Sequence, residues 1–316
     1  MTKRGCRLGL GTLLVLALAG CQEGGPDDVG DDDVEPRSGT GWSCRTCGFS
    51  NSPHMGVHPL EAFHLGSDPV DGFRLVEIRD YNNTSYTPSL SGDLLTATKG
   101  NQVKSGAQLV GWWLVFQNQA GASFNVKVYS YSTQPDWASG ALVDTYSFVY
   151  SDNGELSNVC PGLDPDETSV VILPGERYDL ASNTVLDKQS GWATLACRGH
   201  ALAKMKMLGY DPADGYGSSA SERQATLRMV TADYCGDGTS FTQLGTPLDL
   251  VDKRGSFTLP NALGSRMEAH FDLDGAVCLD TPRIALRSDV EAHCGKIPLC
   301  NGSASSSGAT WITYRP

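Results

Sequence analysis

The sequence predicts an α+β fold, with an N-terminal antiparallel β-rich region followed by a disulfide-stapled α+β domain, and three observations carry that expectation. Between Phe73 and Tyr150 apolar and polar residues alternate with period two and β-branched and aromatic types abound, as in strands half-buried against a core. Beyond Val170 the apolar spacing changes to threes and fours, as on one face of a helix. Eight cysteines remain when the two nearest the N-terminus are set aside, an even number suited to cross-linking in an oxidising compartment.

The chain opens with Lys3, Arg4 and Arg7 and no acid, then runs almost wholly apolar from Leu8 to Gly20. That run is shorter than the ~20 residues a membrane-spanning helix needs, so residues 1–20 read as a cleaved signal peptide. Its end, Leu18-Ala19-Gly20-Cys21, resembles the lipobox of bacterial lipoproteins. The resemblance implies lipid on Cys21, a membrane as partner and a place in the cell envelope. Gln22 rather than aspartate follows, which favours the outer membrane. Residues 21–40 then carry seven acids from Glu23 to Glu35 against one base, Arg37. Such a stretch buries too little apolar surface to offset its chain entropy and reads as a disordered acidic tether. The formal charge is −12; loss of the three N-terminal bases makes it −15, of which the tether holds −6. The remainder offers no basic footprint for nucleic acid.

Residues 41–155 form the β-rich region. Strands are expected at Phe73–Ile78, Leu109–Phe116, Phe124–Tyr131 and Leu142–Tyr150, separated by glycine, asparagine and serine clusters, in a sandwich-like arrangement. Trp112 and Trp113 are adjacent, so they point to opposite faces of their strand. One of them is a candidate stacking platform for sugars; a packed core position is the alternative. In residues 156–316, Val170-Val171-Ile172-Leu173 reads as a buried strand stopped by Pro174-Gly175. Ala193, Cys197, Ala201, Met205 and Leu208 share one helix face, with Gly209 as the stop. Ser221 and Gln224 have capping-box spacing for a second helix through Leu227, Val230 and Tyr234. Tyr210 to Ala220 is the loop between them.

The cysteines available for bridges are Cys44, Cys47, Cys160, Cys197, Cys235, Cys278, Cys294 and Cys300. They admit about a hundred connectivities. The expected pattern joins neighbours, Cys44 with Cys47 and Cys294 with Cys300, and leaves the other four to cross-link the helical core.

The second helix ends in Ala232-Asp233-Tyr234-Cys235-Gly236-Asp237-Gly238, and on these residues the chain resembles the ADYC domain. Ala196-Cys197, Lys204, Leu208-Gly209-Tyr210, Gly245 to Asp249 and Ala276 to Leu279 support the resemblance, which covers roughly Cys160 to Pro316. It implies a secreted or lipid-anchored bacterial protein and brings no assigned activity. Asp233 and Asp237 sit at a helix C-terminus, whose negative end disfavours each carboxylate by about 0.3–1 kcal/mol, so something must compensate. A cation or acid–base work is one answer; an arginine and backbone amides holding a tight turn is the favoured one, because no nearby sequence completes a calcium loop. Asp272-Leu273-Asp274-Gly275 likewise lacks a third ligand and a distal glutamate.

The leading functional expectation is a non-enzymatic envelope protein that binds a glycan or protein, or plays a structural part. The alternative is a hydrolase acting on envelope glycans or peptides, with Asp233, Asp237 and His200 or His270 as carboxylates and base. No cofactor and no metal are expected. Cys44-x-x-Cys47 lies too close to His54 and His58 for the usual zinc spacing, and Cys197 with His200 falls on a helix face that buries the thiol. No nucleophile elbow, His-Glu-x-x-His pair or phosphate-cradling glycine loop occurs.

Overall fold

The computed structural model describes residues 52–66, 72–152, 154–160, 168–186, 190–213, 218–243, 245–258, 265–301 and 308–316. The expected signal peptide, Cys21, the tether, Cys44 and Cys47 lie outside the described residues. The described residues begin with a short hairpin, β1 (His54–Met55) and β2 (His58–Pro59), then β3 (Ala62–Leu65) and β4 (Phe73–Arg79). A meander follows through β5 (Ser85–Ser91), β6 (Leu94–Lys99) and β7 (Gln102–Ser105), ending in a 3-10 turn at Gly106–Leu109. Next come β8 (Trp113–Asn118), the long β9 (Ser123–Pro135) and β10 (Leu142–Asp152), β11 (Glu155–Asn158), β12 (Val170–Pro174), the hairpin β13 (Tyr178–Asp179) and β14 (Thr184–Val185), and β15 (Trp192–Cys197). Two helices, α1 (Ala201–Met207) and α2 (Ala220–Thr231), precede β16 (Asp249–Asp252), β17 (Arg266–Asp272), β18 (Gly275–Leu279), α3 (Arg287–Cys294) and β19 (Trp311–Arg315).

The α+β expectation is overturned: the structure is mostly β, 44% strand against 13% helix, and is organised round a closed seven-stranded barrel. Its strands follow the order β4-β8-β9-β10-β12-β15-β3, antiparallel throughout, and a parallel pairing of β3 with β4 closes the ring. The meander β5-β6-β7 extends from β4, and β11 pairs with β10. A second sheet, β16-β19-β17-β18, is antiparallel. Closure removes the free edges an open sandwich would leave, and it draws β12 and β15 into the same sheet as the strands before residue 155.

Two apolar cores result. Leu75, Leu114, Phe116, Val126, Phe148 and Leu195 fill the barrel, leaving no space inside for a water-sized molecule among the described residues. Ala201, Leu202, Met205, Leu227, Phe271 and Trp311 form the other core, between the helices and the second sheet. β12 and β15 serve both: Val170, Ile172, Ala193, Leu195 and Cys197 face the barrel, while Val171, Leu173 and Ala196 face the helices. All six residues of β15 are buried.

That double burial explains the second correction. Trp192–Cys197 is a strand, not the first turns of a helix; an apolar run buried on both faces satisfies helical spacing without being helical. Only the second half of the expected face, from Ala201, is helical, and His200 caps it, accepting the Leu202 N–H at 3.2 Å. Gly209 ends α1 as expected: its N–H donates to Lys206 O and the Tyr210 N–H to Met205 O, the Schellman pair of bonds that asks for positive φ. The capping box of α2 is Ser219 with Glu222 rather than Ser221 with Gln224, and α2 stops before Tyr234. The strand expected from Leu109 begins at Trp113, after the 3-10 turn.

The expected pairing of Cys294 with Cys300 is corrected, while that of Cys44 with Cys47 lies outside the described residues. Among the described residues the bridges are Cys160–Cys197, Cys235–Cys294 and Cys278–Cys300. Each ties segments distant in sequence, so nearness along the chain was a poor guide to nearness in space.

Candidate functional site

Helix α2 is ended by Ala232, which stands in the left-handed region at φ 50° with its methyl fully buried in the second core. From there the motif enters the protein interior. The Asp233 carboxylate is fully buried, pairs with the Arg228 guanidinium and accepts the Gly238 N–H at 2.8 Å. Burial pushes its carboxyl up, against the opposing pull of Arg228 and the Gly238 amide. Arg228 also donates to Ser182 O at 2.9 Å. The cost of a carboxylate at the helix's negative end is thus offset by an arginine and a backbone amide.

Tyr234 is packed between Phe241 and Phe271, each with ring centroids 5.6 Å away. Its hydroxyl donates to Glu268 at 2.6 Å and accepts the Arg283 backbone N–H at 2.8 Å. Arg283 returns to Glu268 through Nε at 3.1 Å and to Met229 O at 3.0 Å. Burial, then the Glu268 charge, pushes the phenol well up, so Tyr234 stays protonated and donating. Cys235 is bridged to Cys294 in α3. Gly236 and Gly238 both take positive φ, and a Cβ on Gly236 would run into the Asp274 backbone. The adjacent strand is locked on by the Ala276 N–H donating to Tyr234 O at 2.9 Å.

Of the motif carboxylates only Asp237 reaches solvent. It accepts the Thr239 N–H at 2.8 Å and meets His293 Nε2 at 3.0 Å. Burial opposes ionisation, but the Thr239 contacts and the histidine together hold its carboxyl below the usual range. The expected histidines are elsewhere: His200 caps α1 and contacts Ser52 at 3.2 Å, and His270 lies in β17 beside Cys278. Burial, then Lys204, takes His200 down to about 3, and burial lowers His270. His200 Nδ1 accepts a backbone N–H, so the neutral ring keeps its proton on Nε2. Asp233, Asp237, His200 and His270 therefore do not form one open cluster. Cys197 is no nucleophile, because its sulfur is bonded to Cys160. Asp272 accepts the Asp274 N–H at 2.9 Å in the β17–β18 turn, a local turn contact rather than a calcium loop.

Among the described residues two groups have metal-like geometry, His270 with Cys278 and Cys300, and Cys235 with Asp237 and His293. In each the cysteines are spent in disulfides, so no thiolate is offered.

A family model described as the ADYC domain matches residues 106–285, more than half of the chain. The chain belongs to the ADYC domain family. No curated protein and no solved structure matches it. The ADYC match begins at Gly106, well ahead of the expected start near Cys160, and takes in barrel strands β8, β9, β10, β12 and β15 as well as α1, α2 and the motif. The ADYC region is therefore not confined to the helical half; it includes the double-faced strands on which that half is built.

One open cleft of this ADYC protein lies away from its motif. A cleft of about 760 Å³ is lined by Trp113, Phe124, Tyr150, Asn125, Arg79 and His58, with Asn83, Ser123 and Ser151. Trp112 is buried against Tyr86, ring centroids 4.8 Å apart, whereas its neighbour Trp113 is half-buried and faces the cleft. Sequence reasoning found the tryptophan pair; it missed Phe124, Tyr150 and His58, which only the barrel's strand order brings beside Trp113. A smaller cavity of about 230 Å³ has Trp137, Lys204, Val230, Leu248 and Arg283 in its walls.

Proposed function

We propose that this ADYC protein is a non-enzymatic binding protein of the bacterial cell envelope, cut before Cys21 and held at a membrane, the outer one, by lipid on that cysteine. The anchoring half of the reading rests on the lipobox-like Leu18-Ala19-Gly20-Cys21 and the basic, then apolar, segment before it. The acidic residues that follow, 21–40, have the composition of a tether. The non-catalytic half rests on one observation: Asp233 and Tyr234, at the centre of the family's own motif, are consumed in holding the fold together. Asp233 is buried against Arg228 and the Gly238 amide, and Tyr234 is buried between Glu268 and the Arg283 backbone, while the Trp113 cleft is lined by aromatic, amide and hydroxyl groups, the composition of a recognition surface.

Fractionation with metabolic palmitate labelling tests the anchor. The wild-type chain is expected in the membrane fraction with label, and Cys21→Ser unlabelled and not matured. A panel of peptidoglycan, polysaccharide and peptide substrates tests the rest. Turnover that Asp233→Asn or Asp237→Asn abolishes with the fold intact would sink the non-catalytic reading.

A further inference from the structure

The geometry points to the Trp113 cleft as a saccharide-binding site, a conclusion that rests on the binding-protein reading and names its ligand class. Pyranose rings present a face of weakly positive C–H groups and a rim of hydroxyls. An aromatic face is negative and suits the first; planar amides, guanidinium and hydroxyl groups suit the second. The cleft supplies both, with Trp113 as the stacking face, Phe124 and Tyr150 in the adjoining wall where they also pack against the barrel core, and Asn125, Asn83 and Arg79 for the rim.

The platform is also held in place. Arg79, Trp113 and Lys127 are direct register partners across β4, β8 and β9, so all three side chains rise from one face of the barrel wall. The Lys127 ammonium lies 5.7 Å from the Trp113 ring centroid, and Arg79 is fixed by its ion pair with Glu77. His58 packs edge-on to Phe124 at 4.9 Å, joining the β1–β2 hairpin to the opposite wall. A pre-set aromatic surface loses little conformational freedom when a ligand arrives. The volume accommodates more than one sugar unit, so the expected ligand is an oligosaccharide.

Isothermal titration calorimetry of the detergent-solubilised full chain against cello-, chito-, laminari- and galacturono-hexaose tests this, with tryptophan fluorescence recorded alongside. Binding of at least one probe is expected. Trp113→Ala should weaken it about tenfold, with Asn125→Ala weakening it in the same direction and Trp137→Ala, which lies outside the cleft, leaving it unchanged. The thermal midpoint of each variant confirms that loss of binding is not loss of fold. Failure of all four probes to bind at millimolar concentration, or binding that survives both Trp113→Ala and Asn125→Ala, would overturn the site. A membrane-held, inert protein that ignores every sugar refutes this inference alone; release of new reducing ends refutes the non-catalytic reading and leaves the site standing.

Discussion

At the residue scale the motif is legible as charge bookkeeping in a low-dielectric interior. Asp233 is acceptable at a helix C-terminus only because Arg228 and the Gly238 amide meet it, and removing one partner of a buried pair leaves the other uncompensated. Asp233→Ala is therefore expected to destabilise the fold by about 3–5 kcal/mol, measured by urea denaturation, and Tyr234→Phe by about 1–3 kcal/mol through the stranded Glu268 acceptor. A loss below about 1 kcal/mol in the first variant would show the pair to be dispensable. His200 sets a pH dependence. Its folded pKa, about 3, lies below the ordinary imidazole value of 6.5, so the unfolded chain binds the proton first. The stability it contributes is fully present above about pH 6.5 and is lost as pH falls towards 3, by up to about 1.4 kcal/mol per pH unit. Burial depresses His270 in the same sense. Between pH 6.5 and 5 stability should fall, and His200→Gln should flatten the slope; an unchanged slope would remove His200 from the account.

At the element scale, the joint between the motif turn and the β17–β18 hairpin is backbone against backbone. A Cβ on Gly275, which has φ 115°, would lie 2.7 Å from both Gly236 N and Tyr234 O. Gly275→Ala should thus cost at least about 2 kcal/mol from backbone strain and overpacking together, whereas Gly255→Ala, also at positive φ but in open space, should cost about 1 kcal/mol. Equal losses in thermal melts would refute the close-contact account. Loop closure gives a parallel expectation for the Cys235–Cys294 bridge: with its ends 59 positions apart in the sequence, loss of the bridge in a Cys235→Ala, Cys294→Ala double variant should cost about 4 kcal/mol. These elements also mark how far the sequence could be read. β4 and β9 were visible from period-two alternation because one face of each is more open to solvent. β15 was misread because both its faces are covered, so no alternation survives. The bridge partners were illegible because cysteine counts constrain number and not connectivity. Trp113 was visible as one of two candidates, but nothing along the chain links it to Tyr150 or His58, which meet it only through barrel closure.

At the scale of the whole molecule, β12 and β15 make the barrel and the helical layer interdependent. Each strand gives alternate side chains to the two cores, so neither core is complete without the other. A fragment ending at residue 155 retains five of the seven barrel strands and lacks the two that join β10 to β3. It would expose the interior faces of Phe116, Phe148 and Leu114 and leave two open edges, the configuration that invites strand pairing with other chains. Fragment 41–155 is accordingly expected to show no cooperative thermal transition and to associate on concentration, whereas 41–316 should melt in a single transition with coincident far- and near-ultraviolet circular dichroism. The family match leads to the same expectation, because it starts at Gly106 and crosses residue 155. Independent cooperative melting of the shorter fragment would mean that five strands can close without β12 and β15. The Trp113 cleft, whose lining runs from β1 to β10, would then have to be regarded as the property of a separate domain rather than of the ADYC protein as a unit.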